Sequence, residues 1–330
     1  MAQIIAASAA GKRSRLRWSR LLPGLGLILL AGYLAFVLRL YDPEDVLANP
    51  RPADWVADPE ADAVVQHVRK EVSVVYTRDT TNLVAVSADG SLMVDTAEPP
   101  YLETLEAGLR EVTGLPVRVI INTHPHGDHV GGNLHFGRDG ARIIASRASA
   151  DQLLADLKED GADPDYIRAT LPTTTFSGSY EFTFGNETVR LTEITNAHSH
   201  GDTVVQFVNA NVIAAGDLLV NEGLPFVSED RGMTIDGYLA GMETLIAMCD
   251  DDTIIVPGHG PVANKARLVE VHDRLRHMRN VVAFWKRHGL PPKVMFLFYP
   301  TYDWPLGWNK YGVTQKYFAK MVYRTADVSR

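Results

Sequence analysis

Six consecutive residues, His124-Pro125-His126-Gly127-Asp128-His129, hold three imidazoles and one carboxylate, and only Thr123 separates them from the apolar run Val117–Asn122. No other segment restricts the possible folds of this chain so sharply. Buried together, four such groups would crowd one another, and each polar atom would need a partner. A metal ion supplies that partner, because neutral imidazole and carboxylate suit zinc, and also iron or manganese. Pro125 and Gly127 favour an irregular loop that can turn alternate side chains in different directions. The fold must therefore bring a strand and its following loop to a place where further ligands arrive.

Three other segments have the same grammar, an apolar run followed by a turn and a ligand-type residue. Thr188–Ile194 leads into Asn196-Ala197-His198-Ser199-His200-Gly201-Asp202, Val212–Ala215 into Gly216-Asp217, and Thr253–Val256 into Pro257-Gly258-His259-Gly260-Pro261. Asp217 or His259 alone would read as structural. Together with the first cluster they read as one metal site. His67, His135, His272, His277 and His288 fall outside these motifs and read as ordinary histidines.

Around the motifs the chain alternates strands and helices. Val72–Thr77, Asn82–Ser87 and Ser91–Asp95 are strand-like, the last two separated by the hairpin signal Asp89-Gly90. Leu102, Leu105, Leu109 and Val112 follow helical spacing. Arg142–Ala145, Glu181–Phe184 and Thr203–Val208 read as strands. Ala148–Lys158, Asp236–Met248 and Lys265–His288 read as helices. Strand clusters mixed with helices predict an α/β body whose helices cover sheet faces. The single cysteine, Cys249, excludes an intramolecular disulfide and any zinc site built from several thiolates.

The N-terminus is different in kind. Leu21–Leu38 is eighteen residues without a charge, which as a helix would be about 27 Å long, near the thickness of a hydrocarbon core. Five basic residues precede it and Asp42-Pro43-Glu44-Asp45 follows. That bias predicts a transmembrane anchor with the N-terminus in the cytoplasm and the body on the periplasmic side of the inner membrane. A cleaved signal peptide is the rival reading. Six of the 32 basic residues lie in residues 1–41, which hold none of the 40 acids, so the remainder carries a balance of −14. A body that acidic is a poor nucleic-acid binder. The expected organisation is a basic tip and anchor at 1–41, a proline-broken linker at 42–60, a catalytic domain at 61–290, and an aromatic-rich extension at 291–330 that packs on it. Trp304 and Trp308 in that extension are read mainly as core residues, with the cleft or the membrane surface as alternatives.

The ordered set His124-x-His126-x-Asp128-His129, then His198, Asp217 and His259, resembles the metallo-β-lactamase superfamily over roughly residues 68–290. Within it the chain is most similar to the periplasmic quinoprotein relay-system zinc metallohydrolases, and Ala215-Gly216-Asp217-Leu218 to glyoxalase II-like members. The resemblance implies a four-layer αββα sandwich and two zinc ions, iron or manganese being possible substitutes. It implies that His124, His126 and His198 hold the first metal, that Asp128, His129 and His259 hold the second, and that Asp217 bridges them. His198 is preferred over His200 as the ligand because Ser199 follows it. Asp95 is expected either to orient a ligand histidine or to cap a turn. The implied activity is hydrolysis of an ester, thioester or lactone by a water made acidic by the metals, with Asp128 handling the proton. The alternatives are a β-lactamase, a persulfide dioxygenase-like enzyme with one iron on His124, His198 and Asp217, and a maturation or binding factor for a periplasmic redox enzyme. The implied partners are a small acyl substrate and the membrane.

Overall fold

The computed structural model describes residues 63–77, 80–292 and 315–329, together with Leu30 and Val313. The expected span Leu21–Leu38 (apart from Leu30), the linker at 42–60, and Trp304 and Trp308 lie outside the described residues. Among the described residues no helix is long and apolar enough to cross a membrane. Every described strand, and every helix treated below, belongs to the second of two units, residues 50–330.

Two sheets make up the centre. The first contains β1 (Val64–Arg69), β2 (Val72–Tyr76), β3 (Thr81–Ser87), β4 (Gly90–Val94), β5 (Val117–Ile121), β6 (Arg142–Ser146) and β7 (Thr174–Phe176), hydrogen-bonded in that order. The second contains β8 (Ser179–Phe184), β9 (Glu187–Ile194), β10 (Asp202–Phe207), β11 (Val212–Val220), β12 (Ile254–His259) and β13 (Ala263–Asn264), likewise in chain order. Successive strand residues point to opposite faces, and the chain uses this period to fill separate cores. Leu83 and Ala85 of β3, Leu92 and Val94 of β4, and Ile121 of β5 face inward to meet Val205, Phe207, Val212 and Val256 of the second sheet. Their neighbours Val84, Met93 and Ile120 face outward.

Helices cover the outer faces. The helix α1 (Leu102–Val112) turns Leu105 and Leu109 onto Val84, Met93 and Ile120. The short helices α2 (Gly127–Val130) and α3 (Asn133–Arg138) carry the histidine loop back toward the sheet. They are followed by α4 (Arg147–Glu159) and α5 (Pro164–Thr170). Ser146 caps α4 by accepting from the Ser149 N–H at 3.0 Å. Asp163 caps α5, where Pro164 at the first position already has the required φ. The second sheet is covered by α6 (Ile235–Met248), α7 (Lys265–Arg287) and α8 (Gln315–Thr325). Tyr238, Met242, Leu268, Leu275, Phe318 and Val322 from these helices share one core with Val204, Ile213 and Ile255. The result is a sandwich of two sheets between helical layers. Cys249 is buried at the end of α6, and burial pushes its thiol up to about 11.

Strand direction decides where the chemistry sits. β4, β5, β6 and β7 are parallel, as are β11 and β12. β9 is antiparallel to β10, which is antiparallel to β11, so β9 runs with β11. The C-terminal ends of β4, β5, β9 and β12 therefore lie along one edge of the sandwich. Thr203 N donates to Thr123 O across the two sheets at 2.7 Å and ties that edge together. One expectation needs correction here. Asp217 does not follow a strand that stops at Ala215, because β11 continues through it to Val220. The pairing with β12 is irregular between Ala214 and Gly216 and again between Gly216 and Val220, and that irregularity re-aims the Asp217 side chain.

Candidate metal centre

The strand β5 ends at Ile121, and the loop after it cannot relax into solvent. Asn122 Nδ2 donates to His129 O at 3.2 Å and to Asn133 Oδ1 at 3.0 Å, which folds the histidine loop into a closed turn. His124, His129 and His198 are fully buried, and Asp217 and His259 are nearly so. His126 and Asp128 are half-buried and form the open side of the cluster.

The seven residues singled out from the motifs come together in two triads. His126 Nδ1 lies 3.1 Å from His124 Nε2 and 2.9 Å from His198 Nε2. On the other side, Asp128 Oδ2 lies 3.4 Å from His129 Nε2 and 3.3 Å from His259 Nε2. Asp217 stands between the triads. Its Oδ1 is 3.4 Å from His129 Nε2 and 3.3 Å from His259 Nε2, while its Oδ2 is 3.5 Å from His198 Nε2 and 4.0 Å from His124 Nε2. His200 is not part of the cluster, since it is exposed and its backbone N–H donates to Gln152 Oε1 at 3.3 Å.

These donors fit divalent cations. A tetrahedral ion bonded at ~2.0–2.1 Å separates its ligand atoms by roughly 3.3 Å, and the carboxylate–imidazole separations at Asp128 and Asp217 run from 3.3 to 4.0 Å. His129 Nε2 and Asp217 Oδ1 are buried and have no hydrogen-bond partner, an expensive arrangement unless another group satisfies both. Three donor groups can each surround a point, namely His124, His126 and His198; His124, His129 and Asp217; and Asp128, His129 and His259.

The electrostatics separate the two halves. Burial pushes His198 down to about 3 against the opposing pull of Asp217, and burial together with the neighbouring imidazoles holds His124 well below the usual range. That triad is thus neutral and ready to ligate. In the other half, burial alone would lower the histidines, but Asp128, Asp95 and Asp217 raise His129 well above its usual value. Asp217 and Asp128 likewise lift His259 to about 10 despite its burial. Burial would raise both carboxylates, yet the charges of His129 and His259 hold Asp128 and Asp217 well below the carboxylate range.

The side chains behind the cluster set its tautomers. Asp95 Oδ2 accepts from His129 Nδ1 at 2.8 Å, and the same carboxylate accepts from the Thr123 N–H and hydroxyl, each at 2.8 Å. Asp95 therefore orients a ligand histidine, from a left-handed backbone position with φ 62°. His198 Nδ1 donates to Phe226 O at 3.0 Å, leaving Nε2 to face the cluster. Phe226 is itself stacked on Tyr317 of α8, ring centroids 6.1 Å apart, and the Val227 N–H donates to Met321 Sδ at 3.0 Å. Sequence reasoning missed this last link, and no local pattern around Phe226 signals it. Asp202, in the same turn as His198, accepts from the backbone N–H of His198 and of Ser199 at 2.9 and 3.0 Å.

Comparison with known proteins agrees with this geometry. The family model for the metallo-beta-lactamase superfamily matches residues 76–259, a segment that runs from β2 to the last ligand-type histidine. A "Beta-lactamase-like protein 2 homolog" from Caenorhabditis elegans is 25% identical over 205 residues, covering 60% of this chain and 62% of that protein. The chain therefore matches less than two thirds of that relative's length. Among solved structures, a metallo-beta-lactamase from Pontibacter korlensis superimposes with a TM-score of 0.53 at 19% identity, over 65% of this chain and 99% of that one. The DIM-1 metallo-beta-lactamase gives 0.53 at 18% identity, over 66% and 98%. At such identities these two structures speak to the fold alone.

Proposed function

The chain belongs to the metallo-beta-lactamase superfamily, whose members are generally metal-dependent hydrolases, and from that premise we propose a dinuclear zinc hydrolase of an ester, thioester or lactone. One observation carries the reading: Asp217 directs one carboxylate oxygen to each triad. Two divalent cations held there would acidify a water and polarise an acyl oxygen. The chain's own residues do the rest. The three neutral nitrogens of His124, His126 and His198 would hold one ion without adding negative charge of their own, which would leave that ion electrophilic. Asp95 and the Phe226 carbonyl lock the rings of His129 and His198, so that binding costs little reorganisation. Asp128 sits at the open side with its side chain 23% exposed. It is the carboxylate placed to take a proton from an attacking water and return it to the leaving group.

Metal analysis joined to a substrate panel tests this. Protein purified with zinc is expected to hold two ions per chain and to turn over ester, thioester or lactone reporters faster than cephalosporins. His198→Ala should empty mainly the first site and His259→Ala mainly the second, read by elemental analysis after gel filtration. Full activity with one ion per chain would defeat the dinuclear reading, and preferential cephalosporin turnover would favour a β-lactamase.

We also place the catalytic body on the periplasmic face of the inner membrane, held by a helix over Leu21–Leu38. The uncharged stretch and its asymmetric flanks support this. Export-dependent reporters fused after Asp42 should be active and cytoplasmic ones silent, and the protein should stay with membranes in high salt. The reverse reporter pattern would overturn the orientation, and release as soluble protein would overturn the anchor.

A further inference from the structure

The carbonyl that orients His198 sits on a stretch of chain with no ladder of its own. Between the end of β11 and the start of α6, residues 221–234 contain one short helical turn, Glu229–Arg231, and no strand. Phe226 lies in this connection, and its carbonyl oxygen accepts from His198 Nδ1 at 3.0 Å. Its ring stands edge-on to His126, with centroids 6.2 Å apart. Phe226 therefore touches two of the three residues of the first triad. A carbonyl on irregular chain can hold an imidazole in one orientation only if something else holds the carbonyl.

The helix α8 does so. The rings of Phe226 and Tyr317 stack nearly parallel, 9° between their planes. The Val227 N–H donates to Met321 Sδ at 3.0 Å. Glu229 is ion-paired with Arg324, and the Ile235 N–H donates to Thr325 Oγ1 at 3.2 Å. Tyr317, Met321 and the pair Arg324-Thr325 follow one another at intervals of three or four residues, so they share one face of the helix. That face meets the connection in chain order, from Phe226 to Ile235. The helix lies beyond residues 76–259, the segment that the family model matches, so this support is an addition of this chain to the part it shares with the family. The second triad is held by other groups. Asp95 Oδ2 accepts from His129 Nδ1 at 2.8 Å, and the Asn221 N–H donates to His259 O at 2.9 Å.

Building on the dinuclear reading above, we propose that Tyr317 and Met321 of α8 are positioning residues for the first metal ion: acting through Phe226, they fix the ring of His198 and set the affinity of the first triad, leaving the second to its own supports. The test titrates zinc into the metal-free full-length protein in competition with a chromophoric chelator, the two binding steps being assigned with His198→Ala and His259→Ala. Met321→Leu keeps the side-chain volume and removes the sulfur acceptor, and Tyr317→Leu removes the stacked ring. Each should weaken the first site about tenfold, the lower end of what losing an outer partner costs a metal ligand, and leave the second close to wild type. Tyr317→Phe keeps the stack and should bind zinc as the wild type does. Val282→Ala opens a cavity in the core that α7 and α8 share, so it should lower Tm without moving either site. Nitrogen-15 spectra of the imidazoles in the metal-free proteins give a readout that needs no zinc. His198 should carry its proton on Nδ1 in the wild type and in Tyr317→Phe, and should populate the Nε2-protonated tautomer in Met321→Leu and Tyr317→Leu. An unmoved first site, equal weakening of both sites, an effect of Val282→Ala on the first site as large as that of the α8 variants, or an unmoved tautomer would overturn the proposal. Tyr317→Phe binding as weakly as Tyr317→Leu would overturn the role of the stacked ring. If the wild type takes up no zinc but the His198 tautomer follows the α8 variants, the dinuclear reading fails and the hold of α8 on His198 stands. If the tautomer is unmoved as well, both fail.

Discussion

Asp217→Ala is expected to retain the fold, to lose zinc from both sites, and to hydrolyse acyl substrates at least about 10³-fold more slowly. Its two oxygens reach 3.3–3.4 Å to His259 and His129 on one side and 3.5 Å to His198 on the other. The first triad without it has three neutral nitrogens and no negative charge. The second keeps only Asp128 to balance its ion. Under the proposed dinuclear reading, two divalent cations ~3.5–4 Å apart would repel strongly in a site shielded from water, and Asp217 would be the group that offsets this. Removing it should therefore weaken both ions, whereas a histidine truncation should weaken mainly one. The polypeptide should survive because the nearest structural tie, the Tyr238 hydroxyl donating to the Asp217 backbone carbonyl at 2.7 Å, does not involve the side chain. Elemental analysis and the zinc-induced rise in Tm report the loss directly, since a ligand bound only by the native state stabilises it by RT ln(1 + [L]/Kd). A variant that kept two ions and near-normal hydrolysis would show that Asp217 does not bridge.

The parts of this centre that were legible in the sequence are those in which the information is local. The apolar runs of β2 to β5 mark strands, though both of their faces are buried and only the fold divides their residues between two cores, and the crowding of His124, His126, Asp128 and His129 points to a metal whatever the fold. β1 was not visible, because Gln66 and His67 interrupt its alternation and its burial is patchy. β7 and β13 have three and two residues, too few for any period to register. Asp95 illustrates the boundary. Its position after a strand allowed either a turn cap or a histidine partner, and only the fold brings His129 Nδ1 within 2.8 Å of it. The Phe226 carbonyl that orients His198, and the helix α8 that holds Phe226, are separated from His198 by 28 residues and by more than a hundred. Contacts of that range arise from the packing of layers and leave no trace in spacing.

Gly258→Ala is expected to be nearly as damaging as loss of Asp217, although it adds a single methyl to a residue that ligates nothing. Glycine is not needed there for its backbone angle, because its φ is not in the left-handed region. The constraint is space: a Cβ at this position would lie 2.0 Å from Asp217 Oδ1, and 2.9 and 3.0 Å from the backbone of Gly216 and Asp217. The β11–β12 pairing brings the two segments that close, and both backbones are fixed in the sheet, so the Asp217 carboxylate must be what moves. Restoring ordinary contact requires a displacement of more than about 1 Å, and misplacement on that scale can cost about 10² in rate. Overpacking against the β11 backbone should add a loss of stability of roughly 1–3 kcal/mol, seen as a lower Tm. Gly114→Ala is the matched control, since a Cβ there meets nothing within 4 Å. The expected pattern is a folded Gly258→Ala protein that binds zinc weakly at both sites and turns over slowly, beside a Gly114→Ala protein close to wild type. Normal zinc content and turnover in Gly258→Ala would mean that Asp217 can do its work from elsewhere, and the geometry assigned to the bridge would be wrong.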